Sequence, residues 1–388
     1  MRRDLWRRAR WVAVPLAVGL LVVLGARALA PDPCLGSVLD VSERPTIVVV
    51  MFDDLDVELA EAMPGWDELA SRGVSFDHSF ATTPLCCPSR VSFLTGKYAH
   101  THGVYGNEPP LGGYQRATEL DVHSCTLPVW LDRAGYESAV IGKYLNGHFR
   151  FTVGTPPAGW DDWQALHGGR YNGYRLDDNG TLTRPDQYST DEVADRAVRA
   201  LEEAQAEPLF LFVAPTPPHV PLDPAPRHAE APAPAGVDPG RYRLMLAGMD
   251  LLERVTEAMP PEAYLIVTSD NGFHTEPEWG KGLPWDSDTR VPLVVSGPGI
   301  VPGERGELVA NIDLAPTIAS WAGIRPPDSV EGASLDPLLR GEPVEWRDEL
   351  TLEMVGQWSA IRTLDTLTVT WSDGRVEQVD PESVNAGR

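Results

Sequence analysis

Short runs of apolar and β-branched residues recur along this chain, and each run is bounded by polar or turn-forming residues. They occupy residues 46–51, 138–142, 209–214, 264–269 and 292–296. An unbroken apolar run of this length is typical of a strand buried on both faces of a parallel sheet. The pattern therefore predicts strands of a buried sheet in each of these places.

Segments with helical periodicity lie between the apolar runs. The clearest spans residues 190–207, where apolar side chains recur on one face and a Thr-Asp-Glu start supplies capping and negative charge to the first turn. Others span residues 66–72, 127–134, 242–259 and 312–322. Alternating buried strands and amphipathic helices predict an α/β fold, a doubly wound and mainly parallel sheet with helices on both faces.

The pattern changes from about Trp346 to the end of the chain. Short alternating runs at 359–362, 366–371 and 375–379 replace the buried strands, and Ser372-Asp373-Gly374 is typical of a hairpin turn. We expect residues 346–388 to form a small C-terminal antiparallel β subdomain.

The N-terminus carries export features. Five arginines precede position 11, an uncharged run of 16 residues follows at 11–26, and Ala28-Leu29-Ala30 matches a small-x-small cleavage site. The run is shorter than the roughly 20 residues of a spanning helix. Residues 1–30 are therefore interpreted as a cleaved signal peptide or an uncleaved membrane anchor, and the protein as exported, either secreted or membrane-anchored outside the cytoplasm.

The net charge argues against one class of function, and the cysteines raise the question of a disulfide. With 56 acidic and 32 basic residues the net charge is −24, which argues against nucleic-acid binding because that requires a basic face. Of the four cysteines, Cys34 and Cys125 could form a disulfide in an oxidising compartment, but their spacing does not establish the bond. Cys86 and Cys87 are adjacent.

Polar side chains follow the predicted strands at their carboxyl ends. The carboxyl ends of parallel strands meet at one edge of an open α/β sheet, which is where such folds bind ligands. Four distant segments should therefore converge on one crevice. The residues concerned are Asp53, Asp54, Lys143, His219, Asp270 and Asn271.

Four of these residues form a candidate metal site. Asp53, Asp54, Asp270 and Asn271 offer only oxygen ligands, three of them charged. Such a set suits a hard divalent cation, calcium or magnesium. Adjacent aspartates also cap helices and turns, although two pairs at strand ends make that explanation less probable.

Residues 82–96 carry the remaining chemistry, in the sequence TTPLCCPSRVSFLTG. Pro88 suits the first turn of a helix and Gly96 its end, which predicts a short helix over residues 88–95. Its N-terminus beside Cys86 and Cys87 would favour an anion, and Arg90 adds a fixed positive charge. A cysteine phosphatase loop would need arginine six positions after the cysteine, and this spacing is absent.

The segment resembles the signature of the sulfatase family, which is cysteine, any residue, proline, serine and arginine, followed by Thr-Gly. Here it reads Cys86-Cys87-Pro88-Ser89-Arg90 and Thr95-Gly96, and the following GKYAHTHGV is most similar to the glucosamine-6-sulfatase and heparan-sulfatase branch. The resemblance implies an alkaline-phosphatase-like fold with a catalytic domain over residues 31–345. It also implies that a formylglycine-generating enzyme oxidises Cys86 to formylglycine, and that Cys86 joins the four oxygen ligands around Ca²⁺, or alternatively Mg²⁺.

The resemblance assigns further residues to the sulfate group. Lys143 in GKYLNGH and Lys281 in WGKGLPWDSDTRVP match the family's two sulfate-binding lysines, and Arg90 belongs to the signature itself. His219 in TPPHVP matches the histidine that protonates the leaving alcohol. Leu145 stands where many sulfatases carry the histidine that expels sulfate, so Asn146 or His148 would have to replace it.

The implied reaction is hydrolysis of a sulfate ester on a sulfated sugar or another small alcohol. One hydroxyl of hydrated formylglycine attacks sulfur and displaces the alcohol, and collapse of the other to the aldehyde expels sulfate. A phosphonate or phosphate ester hydrolase on the same fold and a non-catalytic binder of sulfated glycans remain alternatives. A zinc phosphodiesterase would require histidines among the metal ligands, and the spacing of His274 does not by itself build a second metal centre. A Cys86–Cys87 disulfide would leave the site inert.

Overall fold

The computed structural model describes residues 34, 37–39, 44–150, 155–204, 207–275 and 278–381. The predicted signal or anchor segment, residues 1–30, lies outside this set. Among the described residues, no helix has both the length and the apolar character required to cross a membrane.

A large sheet of ten strands forms the centre of the described chain. In chain order the strands of the structure are β1 (Ser37–Val38), β2 (Ile47–Phe52), β3 (Val74–Phe80), β4 (Glu137–Gly142), β5 (Asp162–His167), β6 (Arg175–Asp178), β7 (Thr181–Thr183), β8 (Leu209–Ala214), β9 (Tyr264–Ser269), β10 (Leu293–Ser296), β11 (Gly303–Ala310), β12 (Ile324–Arg325), β13 (Leu350–Met354), β14 (Trp358–Arg362), β15 (Leu367–Trp371) and β16 (Val376–Val379). The large sheet has the order β11-β3-β10-β9-β2-β8-β4-β5-β6-β7, a second sheet contains β13 to β16, and β1 pairs with β12.

The predicted mainly parallel sheet is confirmed. The central strands β9, β2, β8, β4 and β5 are all parallel to their neighbours in this series. β10, predicted from the same kind of apolar run, instead lies antiparallel to both β9 and β3. An apolar run indicates that a strand is buried on both faces. It does not indicate the direction of the strand, because a strand of either direction can be buried in this way.

Helices cover both faces of the sheet, as predicted. Alternate residues of β2 point to opposite sides: Val49 packs in one core with Phe93 of the helix Cys86–Thr95, and Val50 packs in a second core with Val193 of the helix Ser189–Ala204. The α-helices are Val57–Glu61, Trp66–Ser71, Cys86–Thr95, Ala99–His102, Gly113–Glu119, Leu127–Arg133, Ser189–Ala204, Pro239–Ala258, Asp286–Thr289, Leu314–Trp321 and Asp336–Leu339, and the 3₁₀ turns are Val122–Cys125, His148–Arg150, Pro226–His228 and Asn311–Asp313.

Several outer strands were not predicted, namely β3, β5, β6, β7 and β11. β3 reads VSFDHSF and β11 reads GERGELVA, so each mixes exposed polar positions with buried ones. Strands toward the edges of the sheet are only partly buried and lack the unbroken apolar run that marks the centre. β3 and β11 are placed by pairing with β10 and with each other, and β5, β6 and β7 extend the sheet from β4, which the local sequence does not indicate.

The C-terminal sheet is antiparallel throughout, as predicted. It packs on the large sheet through an apolar cluster that joins Leu352 and Trp358 to Phe80 and Trp285. The indole N–H of Trp358 donates to the carbonyl of Gly282 at 2.8 Å. This small sheet therefore supports the loop that carries Lys281.

The cysteines divide into one bonded pair and two free thiols. Cys34 and Cys125 form a disulfide, the pairing that the spacing alone left open. Cys86 and Cys87 are both buried and free, and so the alternative of a bond between these neighbours does not hold in this structure.

Candidate active site

The predicted convergence at the carboxyl ends of the strands is present. Ligand atoms of Asp53, Asp54, Cys86 and Asp270 all lie within 4.8 Å of one another. A ring nitrogen of His219 lies within the same distance of ligand atoms of Asp53 and Cys86. Because β2, β8 and β9 are adjacent and parallel, the residues that follow them meet at one edge.

The helix that presents Cys86 begins two residues earlier than predicted. It spans Cys86–Thr95, is buried along its whole length, and ends at Gly96 in the left-handed conformation (φ 65°). Cys86 therefore lies in the first turn rather than before it. The backbone N–H of Cys87 is already bound by the side-chain oxygen of Asn107 at 2.8 Å, so this amide does not offer the anion contact expected from a free helix N-terminus.

Three ion pairs surround Cys86, and in two of them the lysine is partly exposed, at 15% for Lys143 and 14% for Lys281. The Nζ atom of Lys143 lies 2.5 Å from Oδ2 of Asp53, and Lys281 pairs with Asp54. The guanidinium Nε of Arg90 lies 2.8 Å from Oδ2 of Asp270.

These six side chains balance in formal charge, three cations against three carboxylates. Excess positive charge for an anionic substrate would therefore come from a bound cation. In a low-dielectric site of this kind the interaction between charges is stronger than it would be in water.

The Cys86 thiol is held against a cation. Its Sγ lies 2.7 Å from Nζ of Lys281 and 3.5 Å from Oδ1 of Asp53. Burial raises the pKa of Cys86 to about 12, although Lys143 and Lys281 act to lower it. The unmodified side chain is therefore a neutral thiol at physiological pH and not a reactive thiolate.

Asp53 differs from Cys86 in its protonation. Burial alone would raise the pKa of Asp53, but the charges of Lys143, His219, Arg90 and Lys281 hold that pKa well below its ordinary value. Asp53 is therefore a carboxylate over the whole physiological range. An ionised, buried carboxylate at this point is suited to bind a cation.

The donor set also fits a hard cation. Asn271 donates from Nδ2 to Oδ1 of Asp54 at 2.7 Å, and within the described residues its own Oδ1 is buried without a hydrogen-bond partner. Orphaned buried oxygens are rare in proteins and call for an explanation such as an ion. Asp53, Asp54 and Asp270 supply three more oxygens beside it.

A second metal centre built on His274 is not present among the described residues. His274, the residue considered for a zinc site, instead bonds Oδ1 of Asp288 at 2.7 Å. Among the described residues it belongs to neither cluster able to hold a metal. The arrangement favours an oxygen-ligated cation over a pair of zinc ions.

His219 lies at the mouth of the site. Its side chain is 27% exposed, and its Nε2 lies 3.8 Å from Oδ2 of Asp54. The other ring nitrogen, Nδ1, lies 2.5 Å from the carbonyl oxygen of Val220. A carbonyl can only accept, so Nδ1 carries the proton and Nε2 faces the site.

His148 and Asn146, the two candidates to replace the base that is absent at Leu145, have different surroundings. Nδ1 of His148 bonds the carbonyl of Leu145 at 3.0 Å, and its ring packs edge-on against Trp163. Burial lowers the pKa of His148 to about 4, so this ring is neutral at physiological pH. Asn146 has a side-chain oxygen that is buried and, within the described chain, without a hydrogen-bond partner.

Several residues that build the site were not predicted from the sequence. Asn311 donates to Oγ of Ser89 at 2.9 Å, and Ser89 in turn donates to the carbonyl of Asp270. Arg241 pairs with Asp56 at 2.6 Å and also donates to the carbonyl of Asp54. These contacts join segments about 200 positions apart and leave no local pattern. Ser89 alone carries a sequence signal, as part of the signature around Cys86.

Comparison with known proteins identifies the family. The Sulfatase family model matches residues 45–324, which covers most of the chain. The human N-acetylglucosamine-6-sulfatase is 31% identical over 404 residues, covering 87% of this chain and 71% of its own. The chain belongs to the sulfatase family, and the resemblance seen in the signature is confirmed.

Other relatives are considerably longer. The extracellular sulfatase SULF-1 homolog of Drosophila melanogaster is 30% identical over 81% of this chain, and the match spans 33% of the relative. The match to the putative extracellular sulfatase Sulf-1 homolog of Caenorhabditis elegans spans 53% of that relative. The chain thus matches about a third to a half of these two proteins.

Solved structures share the fold. One, determined with its substrate D-glucosamine-2-N,6-O-disulfate, has a TM-score of 0.76 at 21% identity and covers 88% of this chain and 92% of its own. A phosphonate monoester hydrolase from Silicibacter pomeroyi has a TM-score of 0.71 at 20% identity, with coverage of 87% and 89%. The predicted α/β fold, with a mainly parallel sheet and a small C-terminal antiparallel sheet, is confirmed.

Proposed function

We propose that this chain hydrolyses sulfate esters, with residue 86 as the nucleophile after conversion of Cys86 to formylglycine. The observation that carries the proposal is the contact between Cys86 and Lys281 inside a buried cluster that also holds Asp53 and Lys143. Such a cluster offers a nucleophile position, cationic anion contacts and oxygen ligands at one point.

The metal would be Ca²⁺, or alternatively Mg²⁺, held by Asp53, Asp54, Asp270 and Asn271 together with residue 86. When present, the ion supplies positive charge at the reacting centre and the formylglycine hydrate supplies two hydroxyls, one to attack sulfur and one to release sulfate. The orphaned oxygen of Asn271 and the ionised state of Asp53 support this ligand set.

Fixed cations would hold the sulfate group. Arg90 is buried and Lys143 and Lys281 are partly buried near Cys86, and all three are oriented by ion pairs before any substrate binds. Preorganised charges in a site that excludes water stabilise the charge that develops during reaction without reorganising. We assign these three residues to the oxygens of the sulfate.

His219 would protonate the leaving alcohol. Its position at the mouth suits this role, because the alcohol half of the substrate has to reach toward solvent while sulfate stays inside. Nε2, the nitrogen that faces the site, is the atom that would deliver the proton. Because Nδ1 already donates to Val220, the donating form is the doubly protonated ring, which becomes the neutral Nδ1–H ring when the alcohol takes the proton.

The alcohol half is proposed to be a sugar or another small alcohol. The branch motif after the signature and the N-acetylglucosamine-6-sulfatase relative support a sulfated hexosamine. We further propose residues 31–345 as the catalytic domain and 346–388 as a small C-terminal subdomain.

The setting is proposed to be outside the cytoplasm, with residues 1–30 as signal peptide or anchor. The Cys34–Cys125 disulfide and the extracellular relatives support an exported protein. Maturation would require a formylglycine-generating enzyme as a transient partner.

The decisive experiment is the mass of the peptide that contains residue 86. Conversion of cysteine to formylglycine lowers the mass by about 18 Da, whereas a Cys86–Cys87 disulfide lowers it by about 2 Da. The converted protein should turn over an aryl sulfate many times. Cys86→Ser should bind sulfate esters without steady turnover, while the matched Cys87→Ser variant keeps both conversion and activity; repeated turnover by Cys86→Ser would contradict the proposal.

A phosphonate or phosphate ester hydrolase is the second candidate, favoured by the structural similarity to the phosphonate monoester hydrolase. Aryl sulfate, aryl phosphate and aryl phosphonate should be assayed side by side on the same preparation. We expect the highest kcat/KM with the sulfate, and a higher value for the phosphonate would transfer the assignment. Binding of sulfated sugar by an unconverted, inactive protein would instead support a glycan-binding role.

A further inference from the structure

The loop that carries His219 is unusually poor in backbone donors. Residues 215–226 contain six prolines, none of which has an N–H group. Two of the remaining amides bond carbonyls within the loop, from His219 to Thr216 at 3.0 Å and from Asp223 to Pro221 at 2.9 Å. Donors from other segments are therefore needed to hold its remaining carbonyl groups in place.

Two tyrosines provide such donors. The hydroxyl of Tyr171 donates to the main-chain carbonyl of His219 at 2.7 Å. The hydroxyl of Tyr188 donates to the main-chain carbonyl of Asp223 at 3.0 Å. The two rings stack with centroids 5.3 Å apart and an angle of 13° between their planes.

The tyrosine pair belongs to the rigid part of the molecule. Tyr171 is completely buried, and its carbonyl accepts the N–H of Ser189 at the start of the helix Ser189–Ala204. Both rings share a small apolar cluster with Leu244 and Ala247 of the helix Pro239–Ala258. Ala225 of the loop joins the same cluster, so the tyrosine pair packs between the helix Pro239–Ala258 and the loop whose carbonyls it binds.

The bond to the carbonyl of His219 has a consequence for its ring. Nδ1 donates to the carbonyl of the next residue, Val220, so the direction of Nε2 follows the main chain at 219 and 220. A shift of the main chain would carry Nε2 away from Asp54, which it now faces at 3.8 Å.

We infer that Tyr171 is a positioning residue for His219, supported by Tyr188, and that it sets the efficiency with which the leaving alcohol is protonated. This inference rests on the proposed sulfate-ester hydrolysis and adds a residue that the sulfatase signature does not contain. Tyr171 does not touch the reacting atoms. Its effect passes through one main-chain carbonyl.

The test uses Tyr171→Phe in the full-length, converted protein and a series of sulfate esters whose alcohols differ in acidity. Nitrophenol is acidic enough to leave as its anion without help from an acid, whereas the hydroxyl oxygen of a sugar needs a proton to leave. Misplacing the acid should thus cost about 10-fold or more in kcat/KM on a sugar sulfate and less than about 3-fold on nitrophenyl sulfate.

Tyr174→Phe is the matched control. Tyr174 is also buried, lies three positions away, and its hydroxyl has no hydrogen-bond partner among the described residues. Removing that hydroxyl should leave the dependence on the alcohol unchanged. A uniform loss across the series in Tyr171→Phe, or an equal change in both variants, would overturn the inference.

Combination with His219→Ala separates positioning from general damage. If Tyr171 acts through His219, Tyr171→Phe should add no further dependence on the alcohol when His219 is already absent. Additive effects of the two substitutions would contradict the inference. Should Tyr171→Phe fail to fold, Tyr188→Phe gives the same comparison with a smaller expected effect, about 3-fold on the sugar sulfate.

The parent protein distinguishes the two levels of failure. If converted wild-type protein turns over none of the sulfate esters, the proposed function falls and the positioning role falls with it. If it turns them over but Tyr171→Phe matches Tyr174→Phe, only the role of Tyr171 is refuted.

Discussion

The side-chain nitrogen of Lys281 lies 2.7 Å from the sulfur of Cys86, although the two residues are 195 positions apart. Lys281 also pairs with Asp54. The chain contains only three lysines, and two of them, Lys143 and Lys281, point into this cluster. The third, Lys97, is a natural control.

Replacing Lys281 should impair catalysis far more than replacing Lys97. Loss of one preorganised donor to developing negative charge costs about 100-fold or more in kcat. We expect Lys281→Ala to lose about this much on nitrophenyl sulfate, by the same rule, and Lys97→Ala to stay within about 2-fold, as for a charge outside the site. Similar kinetics for the two variants would remove Lys281 from the sulfate contacts.

The buried pair between Arg90 and Asp270 should matter for stability. Their side chains are 1% and 0% exposed, so removal of the arginine leaves the buried carboxylate of Asp270 without its partner. Arg90→Ala should lower the free energy of unfolding by about 3–5 kcal/mol, measured by urea denaturation. The exposed pair of Arg72 with Glu68, at 61% and 68%, is the comparison, and Arg72→Ala should cost about 1 kcal/mol or less.

A double variant checks the cause of that loss. Adding Asp270→Asn to Arg90→Ala removes the stranded charge and should recover part of the lost stability. If Arg90→Ala alone costs less than about 1 kcal/mol, Asp270 takes up a proton easily and the ion pair contributes little.

Calcium binding can be measured without reference to activity. In Cys86→Ser protein, calcium at 100 times its dissociation constant should raise the free energy of unfolding by about 2.7 kcal/mol, and a chelator should reverse the effect. Asp53→Asn should abolish the stabilisation because a central ligand loses its charge. Asp67→Asn, on an exposed helix position, should retain it. Equal stabilisation of both variants would place the ion elsewhere.

His102 should make the protein less stable in acid. The N–H of Val104 donates to its Nδ1 at 3.1 Å, and its Nε2 lies 3.1 Å from Oγ of Ser92, which describes a neutral ring. Burial lowers the pKa of His102 to about 3. In the unfolded chain the pKa returns to about 6.5, so between these values the unfolded state binds the extra proton.

The stability from His102 is therefore complete above about pH 6.5 and falls by about 1.4 kcal/mol per pH unit below it. His102→Asn should lower stability at pH 7 but reduce the slope of unfolding free energy against pH by about that amount between pH 4 and 6. An unchanged slope would show that the ring takes up its proton in the folded state.

The sequence alone indicated the centre of the fold and the polar residues that converge at one edge of the sheet. Unbroken apolar runs marked the central strands. The polar residues that follow them were correctly expected at one edge, Asp53 directly after β2 and His219 five positions after β8. The signature around Cys86 indicated the family. All of this information lies within a few neighbouring residues, because burial on both faces and a strand end are local properties of the chain.

Only the tertiary structure decided which of these residues contact one another. It paired Cys34 with Cys125, matched Lys143 to Asp53 and Lys281 to Asp54, and supplied Tyr171 as a donor to the His219 loop. It also showed that β10 is antiparallel to β9 and that the helix begins at Cys86 rather than at Pro88. Contacts between residues far apart depend on strand order and on the path of loops, and those follow from how the whole core packs rather than from any local pattern.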